Sequence, residues 1–581
     1  MGNQTQSRYD RQMGLLNQRQ VEDLYVVVEG SGSPLTFLLV NLVLLGVGRT
    51  HGAIFLNPRQ DVVREENVTG QFLFHAKDIG QDMASVLCQR LSDMNPDARV
   101  YSEAPHDSAH CVRLIVPAPE QLLTVDDSTL RAGVWGQIAE SSVFVGSKPL
   151  LGIPQFQPNI LTTSLSSLCG ALVAQELLLR TGCVRRLTVA KSWVSVNYHL
   201  RGRGIGKRLK NREFLAPPLT FRLADGRRLR AVPSEILDSD EVIYRVPLPD
   251  TDSASHLIAD SITVIEDSVP AHRSDHSLLW SPLYDVSADG QVLEGDRGFN
   301  KKAIENKSVF VAGVGALGSW LTMLLSTSGV SNCCLTVVDM DGEVEEHNLN
   351  RQVLFGHNHV GSPKVYAAAE KLRSLNPTNR IQPIHGVITR EVIACLKNHN
   401  VEDYKAFSRS SKALPTISVG NELVAVQPDH ARVLAGELSS ADVIVSCLDN
   451  LATRYVLNVV AETAQIPLIN AAAEELQGRV ERVDCRHKDP CLVCRLGAKV
   501  KTDQTRASCS TDEGDVPIQS MVTTAAITAS VETILVLLSL CEGTTPAFNW
   551  LSFDGRDNTI RHVLSQPRLD SECPEHLLHD V

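Results

Sequence analysis

Short, continuous apolar runs punctuated by glycine recur along the chain and alternate with longer apolar stretches of helical period. At 308–312, S-V-F-V-A has the unbroken apolarity of a strand buried on both faces. Gly313, Gly315 and Gly318 follow as G-x-G-x-x-G, an apolar helical pattern runs on to residue 328, and a second run at 334–338 ends on Asp339. A similar order opens the chain: a strand at 25–28, then Gly30-Ser31-Gly32, an apolar helix, and a strand at 53–56. Thr162-Thr163 with a helix over 165–179 is matched far downstream by Thr523-Thr524 and its helix. These repeats predict an α/β fold built twice. Between them, 185–213 is rich in Arg and Lys and reads as a solvated linker. Residues 214–300, with Pro217-Pro218, Asp225-Gly226 and alternation at 241–246, predict a small β-rich module. The connection over 387–440 looks longer than usual, with 408–412 as a surface segment, and 441–446 reads as a further strand.

The glycines carry the first chemistry. Three glycines between a strand and a helix let backbone N–H groups approach a phosphate, and an acid 21 residues beyond Gly318, Asp339, can bind ribose hydroxyls; Asp341 lies close by. This much fits an NAD enzyme or an ATP enzyme. Asn348, Arg351, Gln352 and Lys364 separate the two, because a triphosphate needs fixed cations where charge develops and a hydride-transfer site does not. The first repeat departs at these places. Asn57 stands about where Asp339 does, Gly70 replaces Arg351, Met83 replaces Lys364, and Pro34-Leu35 interrupts the third glycine position. Each change removes a group that would hold ribose or phosphate.

Composition narrows the class. The 581 residues are 43% hydrophobic, 21% charged and 5% aromatic, an ordinary soluble α/β balance with room for several domains. A net charge of −12 argues against general nucleic-acid binding. Apolar runs such as 35–47 are too short to span a bilayer, 1–10 is too polar for a signal peptide, and Gln6 spoils a myristoylation signal at Gly2. Fourteen scattered cysteines suit a reducing cytoplasm, so the expectation is a cytoplasmic protein without nucleic-acid or membrane partners.

The run V-A-G-V-G-A-L-G, N-L-N-R-Q and G-S-P-K resembles the adenylating domain of the ubiquitin-activating family, the ThiF/MoeB-like fold, including relatives that activate sulfur-carrier proteins. With its worn first repeat, the chain resembles the fused pseudo-half and active-half activators of bacterial ubiquitin-like conjugation systems. The resemblance implies two Rossmann-like adenylation domains in one α/β chain: an inactive one at 1–184, a linker and β-rich module at 185–300, and an active one at 301–581 with a crossover loop at about 495–522. It also implies that Gly313, Gly315 and Gly318 shape an ATP site, that Asp339 holds ribose, and that Asn348, Arg351 and Lys364 stabilise phosphates. Asp449, after the strand at 441–446, would bind Mg²⁺; an Asp there can equally cap the following helix. Arg11, from R-Y-D-R-Q, would reach across the pseudo-twofold into that site, with Arg8 the lesser candidate.

Two sets of cysteines remain. Cys491 and Cys494 form C-x-x-C, half of a structural zinc site, and Cys573 with His576 offers C-x-x-H as the other half. The family often carries two C-x-x-C pairs here, so His576 is a departure. Cys509, in the polar loop before Thr523-Thr524, resembles the thioester-forming nucleophile of the ubiquitin-activating branch, with Arg506 placed to favour its thiolate. The resulting expectation is ATP- and Mg²⁺-dependent adenylation of the C-terminal glycine of a ubiquitin-like protein, a thioester on Cys509, and transfer to a conjugating enzyme. No ubiquitin-like fold domain is expected after His576 to recruit that enzyme. The alternatives are activation of a sulfur carrier in thiamine or molybdopterin synthesis, a non-catalytic scaffold binding a ubiquitin-like protein, and a plain NAD dehydrogenase.

Overall fold

A computed structural model describes residues 8–12, 15–70, 72–103, 111–117, 133–139, 142–146 and 161–184, then 304–328, 334–339, 343–386, 388, 391–398, 428–449, 451–487, 489–496, 519–541, 548–556 and 558–563. Between these it describes only strand backbones, at 192–199, 219–222, 228–236, 241–248, 262–265 and 278–280. Cys509, Arg506, Asp341, Cys573, His576 and the basic run 201–212 lie outside the described residues.

The first half forms strands β1 (Tyr25–Gly30), β2 (Ala53–Pro58), β3 (Val100–Tyr101), β4 (Val112–Val116), β5 (Val134–Ala139) and β6 (Ser142–Gly146), with helices α1 (Gly32–Leu45), α2 (Met83–Met94) and α3 (Thr162–Arg180). The middle contributes β7 (Ser192–His199), β8 (Leu219–Arg222), β9 (Arg228–Ile236), β10 (Glu241–Leu248), β11 (Ile262–Ile265) and β12 (Leu278–Trp280). The second half has β13 (Ser308–Ala312), α4 (Ala316–Thr327), β14 (Cys334–Asp339), α5 (Lys364–Leu375), β15 (Arg380–His385), α6 (Glu391–Asn398), α7 (Pro428–Ser440), β16 (Val443–Ser446) and α8 (Leu451–Ala464). It closes with β17 (Leu468–Glu474), β18 (Gln477–Val483), α9 (Leu492–Leu496), α10 (Val522–Leu540), β19 (Trp550–Asp554) and β20 (Thr559–Val563).

Two sheets share one strand plan. The first runs β3-β2-β1-β4-β5 in parallel and continues antiparallel through β6 and β12; the second runs β15-β14-β13-β16-β17 in parallel and continues antiparallel through β18, β19 and β20. Strand order reverses beside β1 and beside β13, the switch points where open α/β sheets bind ligands. In β13, Val309 and Val311 face one helical layer while Phe310 and Ala312 face the other, which is why the run is apolar throughout. The β-rich module expected at 214–300 is a five-stranded sheet, β11-β7-β10-β9-β8. Its β7 comes from the stretch read as linker, and β12 pairs instead with β6 of the first sheet.

Three further expectations change. Counted by register, Gly30 pairs with Pro58, and Ala312 with Val338, so Pro58 rather than Asn57 takes the place of Asp339. Proline, like the Asn57 expected there, differs from Asp339, and proline offers no side-chain acceptor. The connection at 387–440 includes two helices, α6 and α7, whose Val392, Leu396, Leu434 and Leu438 are buried. Finally, α3 and α10 are 19 residues each and apolar enough to cross a membrane by length and composition, but 94% of each apolar window is buried. They are the central helices where the two halves meet: Ser530 Oγ donates to Ser167 Oγ (2.9 Å) and Thr523 Oγ1 to Gln175 Oε1 (2.7 Å). Each leucine or isoleucine fully buried there contributes about 1.5–3 kcal/mol relative to exposure.

Candidate nucleotide site

The turn after β13 is fixed by close approach. Gly313 has φ +92°, in the left-handed region, and a Cβ there would sit 2.8 Å from Cys447 O at the end of β16. A Cβ at Gly318 would sit 1.9 Å from Gly313 O, so helix α4 can start this close to the strand only with glycine. Gly315, by contrast, has open space where its Cβ would be. Two glycines therefore serve the packing, and the third leaves the backbone accessible. Asp339, at the end of the neighbouring β14, is 7% exposed and accepts a 2.6 Å hydrogen bond from the Val314 N–H. The acid and the glycine loop hold each other in register.

Asp449 is exposed just past β16, on the same edge. Below it lie groups that the sequence did not single out. Arg454, buried on α8, donates from its guanidinium to Leu448 O, the carbonyl preceding Asp449. Cys447 Sγ lies 3.5 Å from Glu532 on α10, and burial pushes both this thiol and this carboxyl well above their ordinary pKa values.

The N-L-N-R-Q segment packs inward, and Asn348, Arg351 and Gln352 are all buried. Asn348 Oδ1 accepts from the Glu345 N–H (3.1 Å), and Trp320 Nε1 donates to Arg351 O (3.0 Å). Arg351 Nη1 donates to His347 O and to Asn350 Oδ1 (3.0 Å). Lys364 begins α5 and is buried. The positive fields of Lys364 and Arg11 help to hold the Glu345 carboxyl below its ordinary pKa, after the larger effect of its hydrogen bond to His347. The cations expected at the site thus surround one short segment. In the first half, Met83 begins α2 as Lys364 begins α5, and each follows by three residues a glycine of matching backbone, Gly80 at φ +84° and Gly361 at φ +83°.

The N-terminal segment crosses from one half to the other. Arg11 is buried; its carbonyl accepts from the Ser520 N–H (2.8 Å), and its Nη2 lies 3.5 Å from His347 Nε2. Arg8 donates to Leu349 O (2.9 Å) and Met94 O (2.8 Å), and Asn350 Nδ2 donates to Gln12 Oε1 (3.3 Å). Arg11 faces the segment that carries Arg351, while Arg8 is occupied by carbonyls from both halves.

The cysteine pair is less complete. Cys491 is buried and Cys494 half-buried, one turn apart on and beside α9. Among the described residues no group of three or more His, Cys, Asp or Glu side chains could hold a metal ion. Two thiols fit half of a zinc site.

Residues 289–575 match the ThiF family. Over 201 residues the chain is 30% identical to a molybdopterin-synthase adenylyltransferase of Salmonella typhimurium, covering 34% of this chain and 63% of that one. It is 27% identical over 262 residues to the adenylyltransferase and sulfurtransferase MOCS3 of Xenopus laevis, covering 45% of this chain and 46% of the relative. A SAMP-activating enzyme E1 of Haloferax volcanii is 28% identical over 268 residues, 46% of this chain and 78% of the relative. The chain thus spans less than two thirds of the length of the first two. Sequence similarity and the glycine-loop geometry lead to the same place: residues 289–575 carry a ThiF family domain.

Proposed function

We propose that the chain activates a ubiquitin-like protein by adenylating its C-terminal glycine. A carboxylate oxygen of that glycine attacks the α-phosphorus of ATP, the bond to the β-phosphate oxygen breaks, and pyrophosphate leaves. The observations that support this reading are the glycine loop tied to Asp339 through the Val314 N–H, and the buried segment anchored by Trp320 on the loop's own helix, around which Arg351, Lys364 and Arg11 gather. In it, Asp339 holds ribose, Gly315 lets backbone approach phosphate, and the three cations with Asn348 balance charge developing on the leaving group. Mg²⁺, held by Asp449, would offset phosphate charge there; an exposed carboxylate at a strand end is a suitable oxygen ligand.

In the second step, the Cys509 thiolate attacks the acyl carbonyl, AMP leaves, and a thioester forms for transfer to a conjugating enzyme's cysteine. The first half acts as an inactive partner: Pro58, Gly70 and Met83 stand where the second half has Asp339, Arg351 and Lys364, yet it supplies Arg11. Cys491 and Cys494 would hold a structural zinc together with Cys573 and His576. Fourteen scattered cysteines suit a cytoplasmic location.

A non-reducing gel tests the thioester. With ATP, Mg²⁺ and a ubiquitin-like protein, wild type should give a thiol-sensitive adduct that Cys509→Ala and Asp449→Ala both lose. The second reading, activation of a sulfur carrier, is favoured by the similarity to the molybdopterin-synthase adenylyltransferase and to MOCS3. It takes over if adenylate forms without adduct and Cys509→Ala changes nothing.

A further inference from the structure

We propose that His347 is a positioning residue that holds the Arg11 guanidinium in the second-half site through its neutral Nε2, and that acid pH releases it. The inference rests on the reading of this site as an ATP site.

The geometry is a three-membered chain. His347 is buried, its Nδ1 lies 2.9 Å from Glu345 Oε2, and its Nε2 lies 3.5 Å from Arg11 Nη2. Nδ1 faces an acceptor and Nε2 faces a donor. Only one tautomer satisfies both: the proton sits on Nδ1 and donates to Glu345, and the Nε2 lone pair accepts from Arg11. Glu345 orients the ring, and the ring anchors an arginine that comes from the other half of the chain.

Charge supports the same assignment. The groups facing His347 are Glu345 on its own loop, Arg351 further along that segment, and Arg11 from the first half; Lys364 at the start of α5 faces Glu345. Burial lowers the His347 pKa first, Glu345 partly offsets this, and Arg351 and Arg11 lower it further. The net direction is below the ordinary histidine value of about 6.5, so the ring is neutral at pH 7. Once protonated, Nε2 becomes a donor aimed at a donor, with two guanidiniums close by. The Arg11 contact cannot survive that change.

Two readouts on the full-length chain test this, one without nucleotide and one with. In the nucleotide-free protein, NMR titration of the histidine rings should show the His347 pKa rising in Arg11→Gln, because a lowering charge has been removed. An unchanged His347 pKa overturns the inference whatever ATP does. With nucleotide, the ATP dissociation constant of wild type should rise as pH falls through the lowered His347 pKa. His347→Gln, which keeps an acceptor near the Nε2 position but does not titrate, should bind like wild type at pH 7 and lose the acid limb. His347→Ala should weaken binding about tenfold in wild type, the size expected for one charge-assisted hydrogen bond, and hardly at all in the Arg11→Gln background. An acid limb retained in His347→Gln, or additive losses in the double variant, overturns the inference. If wild type binds no ATP at pH 7 while Arg11→Gln still shifts the His347 pKa, the ATP reading fails and the contact stands.

Discussion

The Asp339 carboxylate accepts a 2.6 Å hydrogen bond from the Val314 N–H, inside the glycine loop itself. The group assigned to ribose therefore also sets the conformation of the backbone assigned to phosphate. Asp339→Ala should lose both: ATP affinity falls, and the melting temperature drops by an amount corresponding to about 1–3 kcal/mol for an unsatisfied buried donor. Asp339→Asn retains an acceptor and should recover stability more than affinity. Calorimetric ATP titration beside thermal melts checks this; equal recovery of both would show that the acid is only structural.

The glycines should separate by role. Gly318→Ala places a methyl 1.9 Å from Gly313 O and must shift backbone, at a cost of about 1–3 kcal/mol or more. Gly315→Ala meets open space and should leave the melting temperature almost unchanged while weakening ATP binding. The account of the loop is wrong if Gly315→Ala is the destabilising one.

A lesion in the first half should damage the second. Arg11→Ala removes a buried cation from beside the Arg351 segment, and we expect ATP to bind about tenfold more weakly with the fold intact. Circular dichroism with an ATP titration distinguishes this from loss of the Ser520 contact, which uses the Arg11 carbonyl and survives the substitution.

Glu532 predicts a pH dependence of stability. Its folded pKa lies well above the ordinary carboxylate value, chiefly through burial. The unfolded chain ionises first as pH rises through about 4.3, so stability falls from there until the folded pKa is reached and is constant above it. Glu532→Gln abolishes that decline and should melt higher than wild type at pH 7.5 but similarly at pH 4. Parallel melting curves across that range would refute a raised pKa at buried Glu532.

How much of this was legible in the sequence follows from where each signal came from. The strand at Ser308–Ala312 and the end of β14 at Asp339 were readable because a strand buried on both faces has no polar interruption and its glycines follow at once. The slip from Pro58 to Asn57 arose because β2 continues two residues past its last apolar position. Helix α6 was missed because E-V-I-A-C-L-K-N is barely two turns long and buries only its apolar stripe. The membrane-length apolarity of α3 and α10 carries no hint of its cause, which is that each is packed between its own half's core and the central helix of the other half. At the site, motif residues such as Arg351 and Lys364 announced themselves, but His347 and Arg454 did not. Their roles depend on partners 336 residues away in one case and on a backbone carbonyl in the other, and neither leaves a spacing to read.

The most direct test of the account is ATP–pyrophosphate exchange by the full-length chain with a ubiquitin-like or sulfur-carrier protein ending in glycine. We predict exchange that requires the carrier's free C-terminal carboxylate and that Arg351→Ala or Asp339→Ala reduces by at least about tenfold. Exchange that is absent with both classes of carrier, or that persists undiminished in those variants, would contradict the assignment of residues 289–575 as an adenylating site.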